Sequence, residues 1–249
     1  MIICHSRQFI FLHGRKTAGS SIGTSLNRFL SDGDASMGYV GACQDAGITP
    51  PDWSRRWQHL RPWDLRRRKP GYAAYKRMMR HVHGVNSTHM SAAAVKELVG
   101  EETWSRYFKL TFERNPLDRQ LYFYYWRIHA KVKAPSFEKF IAAIEAEDRE
   151  FLIDHNLSEY SNIENYSISG SPCLDMIGRF ESLHEDLFKI TGILNLDWDK
   201  WLPSEKKGIK PKQAATELWA SHPGLRWRAM KILKQEADLL GYDWSDLQP

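Results

Sequence analysis

The sequence predicts an α/β fold in which a central, mainly parallel sheet is flanked by helices. Three apolar runs of strand length predict the sheet, namely QFIFLH (8–13), YFKLTF (107–112) and CLDMIGRF (173–180). A helical pattern follows each run, and strands that alternate with helices are typical of a parallel sheet covered on both faces. The 249 residues contain no internal repeat and no recognisable linker, so we expect one domain over 1–249.

The helices are predicted from apolar periodicity and from their caps. SIGTSLNRFL places Ile22 and Leu26 on one helical face directly after the first strand. Ser91 is an N-cap for AAAVKELV, and Gly100 ends that helix. We expect 31–54 to be mostly loop, because it contains several Gly, Asp and Pro residues. The other predicted helices are LDRQLYFYYWRIHAKV with Pro116 in its first turn, SFEKFIAAIEAE from Ser136, ESLHEDLFKITGI, and two in the tail around 212–220 and 223–240.

The composition and the cysteine spacing indicate which classes of protein the chain can belong to. Hydrophobic residues make up 42 % of the chain, and no run approaches the ~18 apolar residues of a membrane span. Three widely spaced cysteines, Cys4, Cys43 and Cys173, fit no metal-ligand pattern and indicate reduced thiols. The first residues lack the order of segments that defines a signal peptide, so we expect a cytoplasmic protein.

One segment of the chain is strongly basic. Residues 55–80 hold ten Lys/Arg and one acid, Asp64, within a Trp-rich stretch at about 51–80 that we interpret as an insertion. Trp57 and Tyr72 stand among these charges and permit stacking as well as charge contacts. The segment fits a solvated helix surface, or else a binding surface for an anionic substrate, a nucleic acid or a peripheral membrane contact. Nucleic acid is the minor option, because no nucleic-acid-binding motif accompanies the basic residues.

The turn after the first strand has the features of a phosphate-binding loop. In GRKTAGSS, Gly14 and Gly19 are spaced as in the nucleotide-triphosphate loop G-x-x-x-x-G-K-[ST]. Ser20 stands at the position where this pattern has its lysine. The lysine of this chain is Lys16, inside the loop. A strand, a glycine loop and a helix in this order direct the amides of the helix N-terminus at an anion. The sequence therefore predicts a P-loop-like three-layer fold in which the lysine has an altered position.

Three segments resemble the signatures of a known family. FIFLHGRKTAGSSI (9–22) is similar to the opening signature of sulfotransferases that use 3′-phosphoadenosine 5′-phosphosulfate, whose loop typically reads HIPKTAGTS. FKLTFERNPLDRQLYFYY (108–125) resembles their second signature, a strand that ends in Arg-Asn-Pro before a helix. IGRFESLHEDL (177–187) resembles a third, less specific segment. The carbohydrate-type sulfotransferases, with bacterial and heparan or chondroitin members, are the most similar group.

The resemblance implies transfer of a sulfuryl group from this donor to a hydroxyl acceptor, a carbohydrate or glycolipid, without a metal ion. Lys16 would stabilise the negative charge that develops on the departing phosphate oxygen. Arg15 stands where the family usually has proline, so it either adds a phosphate contact or faces solvent. The residues whose amides and side chains would hold the 5′-phosphosulfate are Arg15, Lys16, Thr17, Ala18, Gly19, Ser20 and Ser21.

Arg114 occupies the position at which the resemblance implies recognition of the donor's 3′-phosphate. A guanidinium group suits phosphate because it can form two parallel hydrogen bonds. The alternative is a structural arginine that caps a helix or pairs with Asp118. The family usually has a serine eight residues further on, and here Tyr122 would donate one hydrogen bond in its place. Lys207, in a lysine-glycine loop, is a further match for the same phosphate, although a solvated charged loop also fits it.

The acceptor hydroxyl needs a general base, and histidine suits that role near neutral pH. Many relatives place a histidine about 25 residues before the arginine of the second signature, and here that residue is His89. We expect His89 to be the base, with His81 and His83 as the alternative and a capping or packed imidazole as its structural interpretation. We expect His13, at the end of the first strand, to hold the loop by hydrogen bonding.

Two functions of other classes also fit parts of the sequence. A nucleotide-dependent kinase with a degenerate loop needs a magnesium-binding acid after a strand. The only candidate, Asp175, instead precedes the MIGRF part of its predicted strand. A non-catalytic module that binds nucleic acid or a membrane would use the basic residues 55–80.

Overall fold

A computed structural model describes residues 1–51, 88–129, 133–203 and 215–243 of the chain. The chain divides into two compact units, of which the first comprises Met1–Phe112 and Glu164–Glu205 and the second comprises Glu113–Ile163 and Lys206–Pro249. The single domain expected from the sequence stays a prediction. Apart from Pro51, the basic insertion lies outside the described residues.

The described strands are β1 (Ile2–Cys4), β2 (Phe9–Phe11), β3 (Ala35–Ser36), β4 (Phe108–Glu113), β5 (Ser167–Ile168), β6 (Ser171–Pro172) and β7 (Met176–Arg179). Five of them form one mixed sheet with the order β3-β1-β2-β4-β7, and β5 pairs with β6. β2 runs parallel to β4, whereas β1 runs antiparallel to both β2 and β3. The predicted α/β sheet is therefore confirmed, with an antiparallel edge that the sequence did not predict.

The antiparallel edge follows from the length of one connection. Only residues 5–8 join β1 to β2, which is enough for a hairpin and too short for the crossover that parallel strands require. Asp34 holds this turn, because its carboxylate accepts hydrogen bonds from the amides of His5 and Ser6 at 2.7 and 3.0 Å. β1 was not predicted, because three residues are too few to show a strand period.

The described α-helices are α1 (Gly19–Leu26), α2 (Val40–Asp45), α3 (Ala92–Arg106), α4 (Pro116–Ile128), α5 (Phe137–Glu145), α6 (Arg149–Asp154), α7 (Ile163–Tyr166), α8 (Leu183–Ile193), α9 (Ala215–Ser221), α10 (Pro223–Ile232) and α11 (Lys234–Leu240). The predicted helices are confirmed, with two differences in their bounds. The last predicted helix is divided into α10 and α11, and α3 continues past Gly100, its predicted end, to Arg106 after a kink at that glycine. The short helices α2, α6 and α7 were not predicted, and α2 lies within the stretch that was expected to be mostly loop.

Helices cover both faces of the sheet in the first unit. Phe9 and Phe11 belong to an apolar core that also contains residues of α1 and α8. Ile10 and Leu12 belong to a second core that contains residues of α3. Successive side chains of a strand point to opposite faces of the sheet, so this alternation places β2 between two layers of helices.

Local sequence signals set where the helices begin. The Ser91 hydroxyl accepts a hydrogen bond from the amide of Ala94 at 3.2 Å, and Gly100 interrupts α3 with a φ of 80°. In the second unit, Asn115 caps α4 with Pro116 in the first turn, and the Ser136 hydroxyl caps α5. A core shared by α4, α5 and α10 then forms the interior of this unit.

Candidate functional site

Residues 14–18 form the loop that the sequence predicts to bind phosphate, called the phosphate loop below, and two of its residues have an unusual backbone conformation. It connects β2 to α1, and within it Lys16 and Ala18 have φ values of 64° and 60°. Positive φ costs a non-glycine residue on the order of 1 kcal/mol or more, and such residues cluster at ligand-binding sites. Left-handed residues that alternate with others direct neighbouring amides into one concavity, which is a recurring anion-binding arrangement.

The base of this loop is attached to the neighbouring strand. The Leu12 amide donates to the carbonyl of Leu110 at 2.9 Å, and the Thr111 hydroxyl donates to the carbonyl of Leu12 at 2.7 Å. The loop therefore starts from a fixed position at the end of β2.

Two predicted phosphate ligands of the loop are buried. Thr17 is 1 % exposed, and its hydroxyl donates to the carbonyl of Gly14 at 3.2 Å. That hydroxyl closes the loop internally, so the contribution of Thr17 to phosphate binding would come from its amide. Arg15 is 7 % exposed, which excludes the solvent-facing alternative for its side chain.

The first turn of α1 completes the predicted cradle. Ala18 is the N-cap residue, and its methyl side chain cannot cap the first amides of the helix. No acidic residue stands in this turn, so the positive end of the helix keeps its attraction for an anion. Ser20 and Lys16 are partly exposed, whereas Ser21 is buried.

Glycines in α1 allow two aromatic rings to contact the helix. A Cβ atom at Gly19 would lie 2.0 Å from Cδ2 of His13, and one at Gly23 would lie 2.1 Å from Cε1 of Tyr39. These rings stack on each other with centroids 5.4 Å apart. Any larger side chain at either glycine would displace a ring, so both glycines have a packing cause, and Gly19 is in addition the second glycine of the predicted phosphate-loop pattern.

His89 has the tautomer that a general base needs. Its Nδ1 lies 2.8 Å from the carbonyl oxygen of His13, and since a carbonyl can only accept, Nδ1 carries the hydrogen. In the neutral ring the lone pair is then on Nε2, the atom that could take a proton from an acceptor hydroxyl. The rings of His89 and His13 meet edge to face with centroids 4.5 Å apart.

His13 is held by Tyr39, a residue that the sequence did not single out. The Tyr39 hydroxyl lies 2.9 Å from Nδ1 of His13. Burial raises the pKa of Tyr39 well above its usual value, so the phenol keeps its proton. His13 is hydrogen-bonded to Tyr39 and His89, and its ring also lies against Gly19 at the start of α1. That His13 holds the loop by hydrogen bonding stays a prediction.

Arg114, in the second unit, follows β4 directly. Its guanidinium lies 4.0 Å above the ring of Tyr122 and pairs with Asp118 at 3.5 Å. The pairing that the sequence offered as a structural alternative is thus present. Tyr122 lies under the guanidinium and stabilises its position by a cation–π contact, a role that the predicted hydrogen bond to phosphate does not describe.

A buried ionic cluster lies next to Arg114 in the chain and was missed in the sequence. Arg119 is fully buried and pairs with Glu113 at 3.4 Å and with Glu236. Asn162 donates to Glu113 at 2.9 Å, and the Arg114 amide donates to the same carboxyl group at 2.9 Å. Burial raises the pKa of Glu113 to about 7, and the nearby Glu236 charge adds to this against the opposing effect of Arg119.

The structure groups the predicted site residues into two sets. Lys16, His89 and the cradle belong to the first unit, and Arg114 and Tyr122 belong to the second. Lys207, His81 and His83 lie outside the described residues. In the part of the chain that the structure describes, no three His, Cys, Asp or Glu residues are grouped as metal ligands, and no helix is long and apolar enough to cross a membrane.

Comparisons with protein-family models, with curated proteins and with solved structures found no match for the chain.

Proposed function

We propose that this protein is a sulfotransferase with a P-loop-like three-layer fold. It moves a sulfuryl group from 3′-phosphoadenosine 5′-phosphosulfate to a hydroxyl of a carbohydrate or glycolipid. The observation that carries the proposal is in the first unit, where the left-handed phosphate loop with Lys16 precedes α1 and His89 donates from Nδ1 to His13. The loop suits an anion, and the histidine suits a hydroxyl that must lose a proton.

The reaction is an in-line displacement at sulfur. The acceptor oxygen forms a bond to sulfur, and the bond from sulfur to the bridging oxygen of the 5′-phosphate breaks. The electron pair of that bond leaves with 3′-phosphoadenosine 5′-phosphate. Lys16 stabilises the charge that grows on this oxygen, which is electrostatic catalysis without proton transfer.

His89 receives the proton of the acceptor hydroxyl on Nε2. Its hydrogen bond to the carbonyl of His13 keeps Nδ1 protonated in the neutral ring and stabilises the imidazolium ion that forms. Loss of this imidazole should lower the rate at saturating donor and remove the acidic limb near pH ~6.5 from the rate profile.

Arg114 recognises the 3′-phosphate of the donor in this proposal. Its support comes from the resemblance of the second signature and from the chemistry of guanidinium groups, which bind phosphate through two parallel hydrogen bonds. The stacked Tyr122 ring reduces the conformational freedom that the Arg114 side chain would lose on binding.

Asp175, the acid that the sequence offers to the kinase alternative, is already engaged, and so is the acid at the end of β4. Asp175 accepts from the Lys109 amide at 2.7 Å and pairs with its ammonium group at 2.7 Å. Glu113, at the end of β4, is engaged by Asn162 and Arg119. The basic residues 55–80 of the binding-module alternative lie outside the described residues, so no contact favours that function.

Calorimetric binding of three nucleotides tests the proposal. The wild type should prefer 3′-phosphoadenosine 5′-phosphate over adenosine 5′-phosphate by ~30-fold or more, since charge-assisted pairs lose ~2–5 kcal/mol when one partner is removed. Arg114→Ala should weaken only the 3′-phosphorylated ligand, with the surface variant Arg28→Ala as a control. Equal weakening of both nucleotides would show that Arg114 does not recognise the 3′-phosphate. A wild type that binds ATP with magnesium best would contradict the sulfotransferase itself.

A further inference from the structure

The ring of His13 is enclosed by three groups of the first unit. It is 6 % exposed, it stacks on Tyr39, and it lies against Gly19 so closely that a Cβ there would be 2.3 Å from its Nε2. The third neighbour is His89, whose ring meets it edge to face at 4.5 Å. These close neighbours restrict the rotation of the ring, because protein interiors are densely packed and leave little space for another orientation.

The same residue also selects which ring nitrogen of His89 carries the hydrogen in the neutral ring. The carbonyl oxygen of His13 accepts from Nδ1 of His89 at 2.8 Å. The ring and the carbonyl belong to one residue, so the packing that fixes the ring against Gly19 and Tyr39 also fixes the direction of the carbonyl. If the ring were removed, the His13 backbone would lose this support and the hydrogen bond that selects the His89 tautomer would weaken.

We propose that His13 is a positioning residue for the proposed transfer, which holds the Nε2 atom of His89 and the first turn of α1 in one fixed arrangement. This inference rests on the proposed function, and it assigns no contact between His13 and the substrates. In this arrangement the His13 side chain supports both the proton acceptor, His89, and the helix that would receive the phosphosulfate. Small displacements of reacting groups can cost up to ~10²-fold in rate, so we expect His13 to affect turnover more than donor binding.

The first test does not depend on activity. Side-chain NMR reports which ring nitrogen of His89 is protonated, in the wild type and in His13→Ala and His13→Phe. We expect a single Nδ1–H form in the wild type, a mixture of tautomers in His13→Ala, and a return to the single form in His13→Phe, which restores a ring beside Gly19. His5→Phe is the matched control, because His5 is an exposed histidine of the same unit and should leave His89 unchanged.

The second test measures kcat for sulfuryl transfer and the affinity for 3′-phosphoadenosine 5′-phosphate in the same variants. We expect His13→Ala to lower kcat ~10- to 100-fold, with the affinity within about threefold of the wild type and partial recovery in His13→Phe. If His13→Ala does not fold, His13→Leu replaces it, because leucine fills most of the volume without a ring.

The outcomes separate the two proposals. A single unchanged His89 tautomer in His13→Ala or His13→Leu would overturn the positioning role, whatever the activity. A tautomer mixture in these variants, with a wild type that has no preference for the 3′-phosphorylated nucleotide, would support the positioning role and reject the sulfotransferase.

Discussion

Two buried polar clusters, one in each unit, are held by different kinds of partner. Near the phosphate loop of the first unit, His89 and His13 are held by uncharged partners, a backbone carbonyl and a phenol. In the second unit, Arg119 is held by two carboxylates that are themselves almost fully buried. Removing an uncharged partner leaves no net charge in the interior, whereas removing one member of an ionic cluster does. Substitutions in the His13–His89 pair should therefore affect mainly turnover, and substitutions in the Arg119 cluster mainly stability.

The largest effect is expected from Arg119→Ala. It leaves Glu113 and Glu236 buried without their cation, which typically costs about 3–5 kcal/mol in the free energy of unfolding. Urea denaturation measures this cost. The matched control is Arg28→Ala in the first unit, which breaks an exposed pair with Asp199 and should change the free energy of unfolding much less, because solvent screens exposed pairs. Similar costs for the two variants would contradict the contrast between the units.

Lys16→Ala should have the next largest effect, on turnover. In the proposed reaction this side chain would stabilise charge that develops only in the transition state, so kcat should fall by ~10²-fold or more with a smaller change in donor affinity. Steady-state rates with labelled donor and a panel of carbohydrate acceptors measure this, and Lys189→Ala, an exposed lysine of α8, is the control. The free energy of unfolding should stay close to that of the wild type. Unchanged turnover would remove Lys16 from the mechanism.

The dependence of stability on pH should come partly from Glu113. Its pKa is raised from 4.5 to about 7 in the folded state, so between these values the folded protein binds more protons than the unfolded chain. The contribution to stability is complete below pH ~4.5 and is lost as the pH rises through ~7, with a slope of at most ~1.4 kcal/mol per pH unit. Urea midpoints from pH 5 to 8 should fall less in Glu113→Gln than in the wild type. Parallel profiles for the two proteins would show that Glu113 is ionised in the fold.

The smallest expected effect is on nucleotide affinity, and it distinguishes two possible roles of Tyr122. A cation–π contact with Arg114 requires only the ring, so Tyr122→Phe should bind 3′-phosphoadenosine 5′-phosphate within about twofold of the wild type, and Tyr122→Ala about two- to fivefold more weakly. If the phenol instead donates to the 3′-phosphate, Tyr122→Phe should lose as much affinity as Tyr122→Ala. Calorimetry on the three proteins distinguishes these results.

Local signals in the sequence predicted most of the helices and the central strands. The caps Ser91 and Ser136 act within three residues of their own position, and the apolar runs that became β2 and β4 show their burial directly. β1 was missed because it is short, and it is stabilised by pairing with strands on both sides.

In the candidate site, too, the features that depend on local sequence were predictable and those that depend on the fold were not. The loop and its residue types were predictable, because glycine spacing is a local property. The ionic cluster was not, since Glu113 and Glu236 are more than a hundred residues apart in the chain. The inward hydroxyl of Thr17 and the stacking of Tyr122 depend on side-chain direction, which periodicity does not encode. The roles of Lys16, His89 and Arg114 in transfer stay predictions.

The contacts of Gly19 and Gly23 with two rings also constrain how this chain can change over evolution. An alanine at position 23 is compatible with the helix only when residue 39 becomes smaller, and position 19 is tied in the same way to residue 13. Among diverging descendants, we expect these positions to change as two pairs, 13 with 19 and 23 with 39. A descendant with alanine at position 23 beside an unchanged Tyr39 would have had to move α1 and the Tyr39 ring apart.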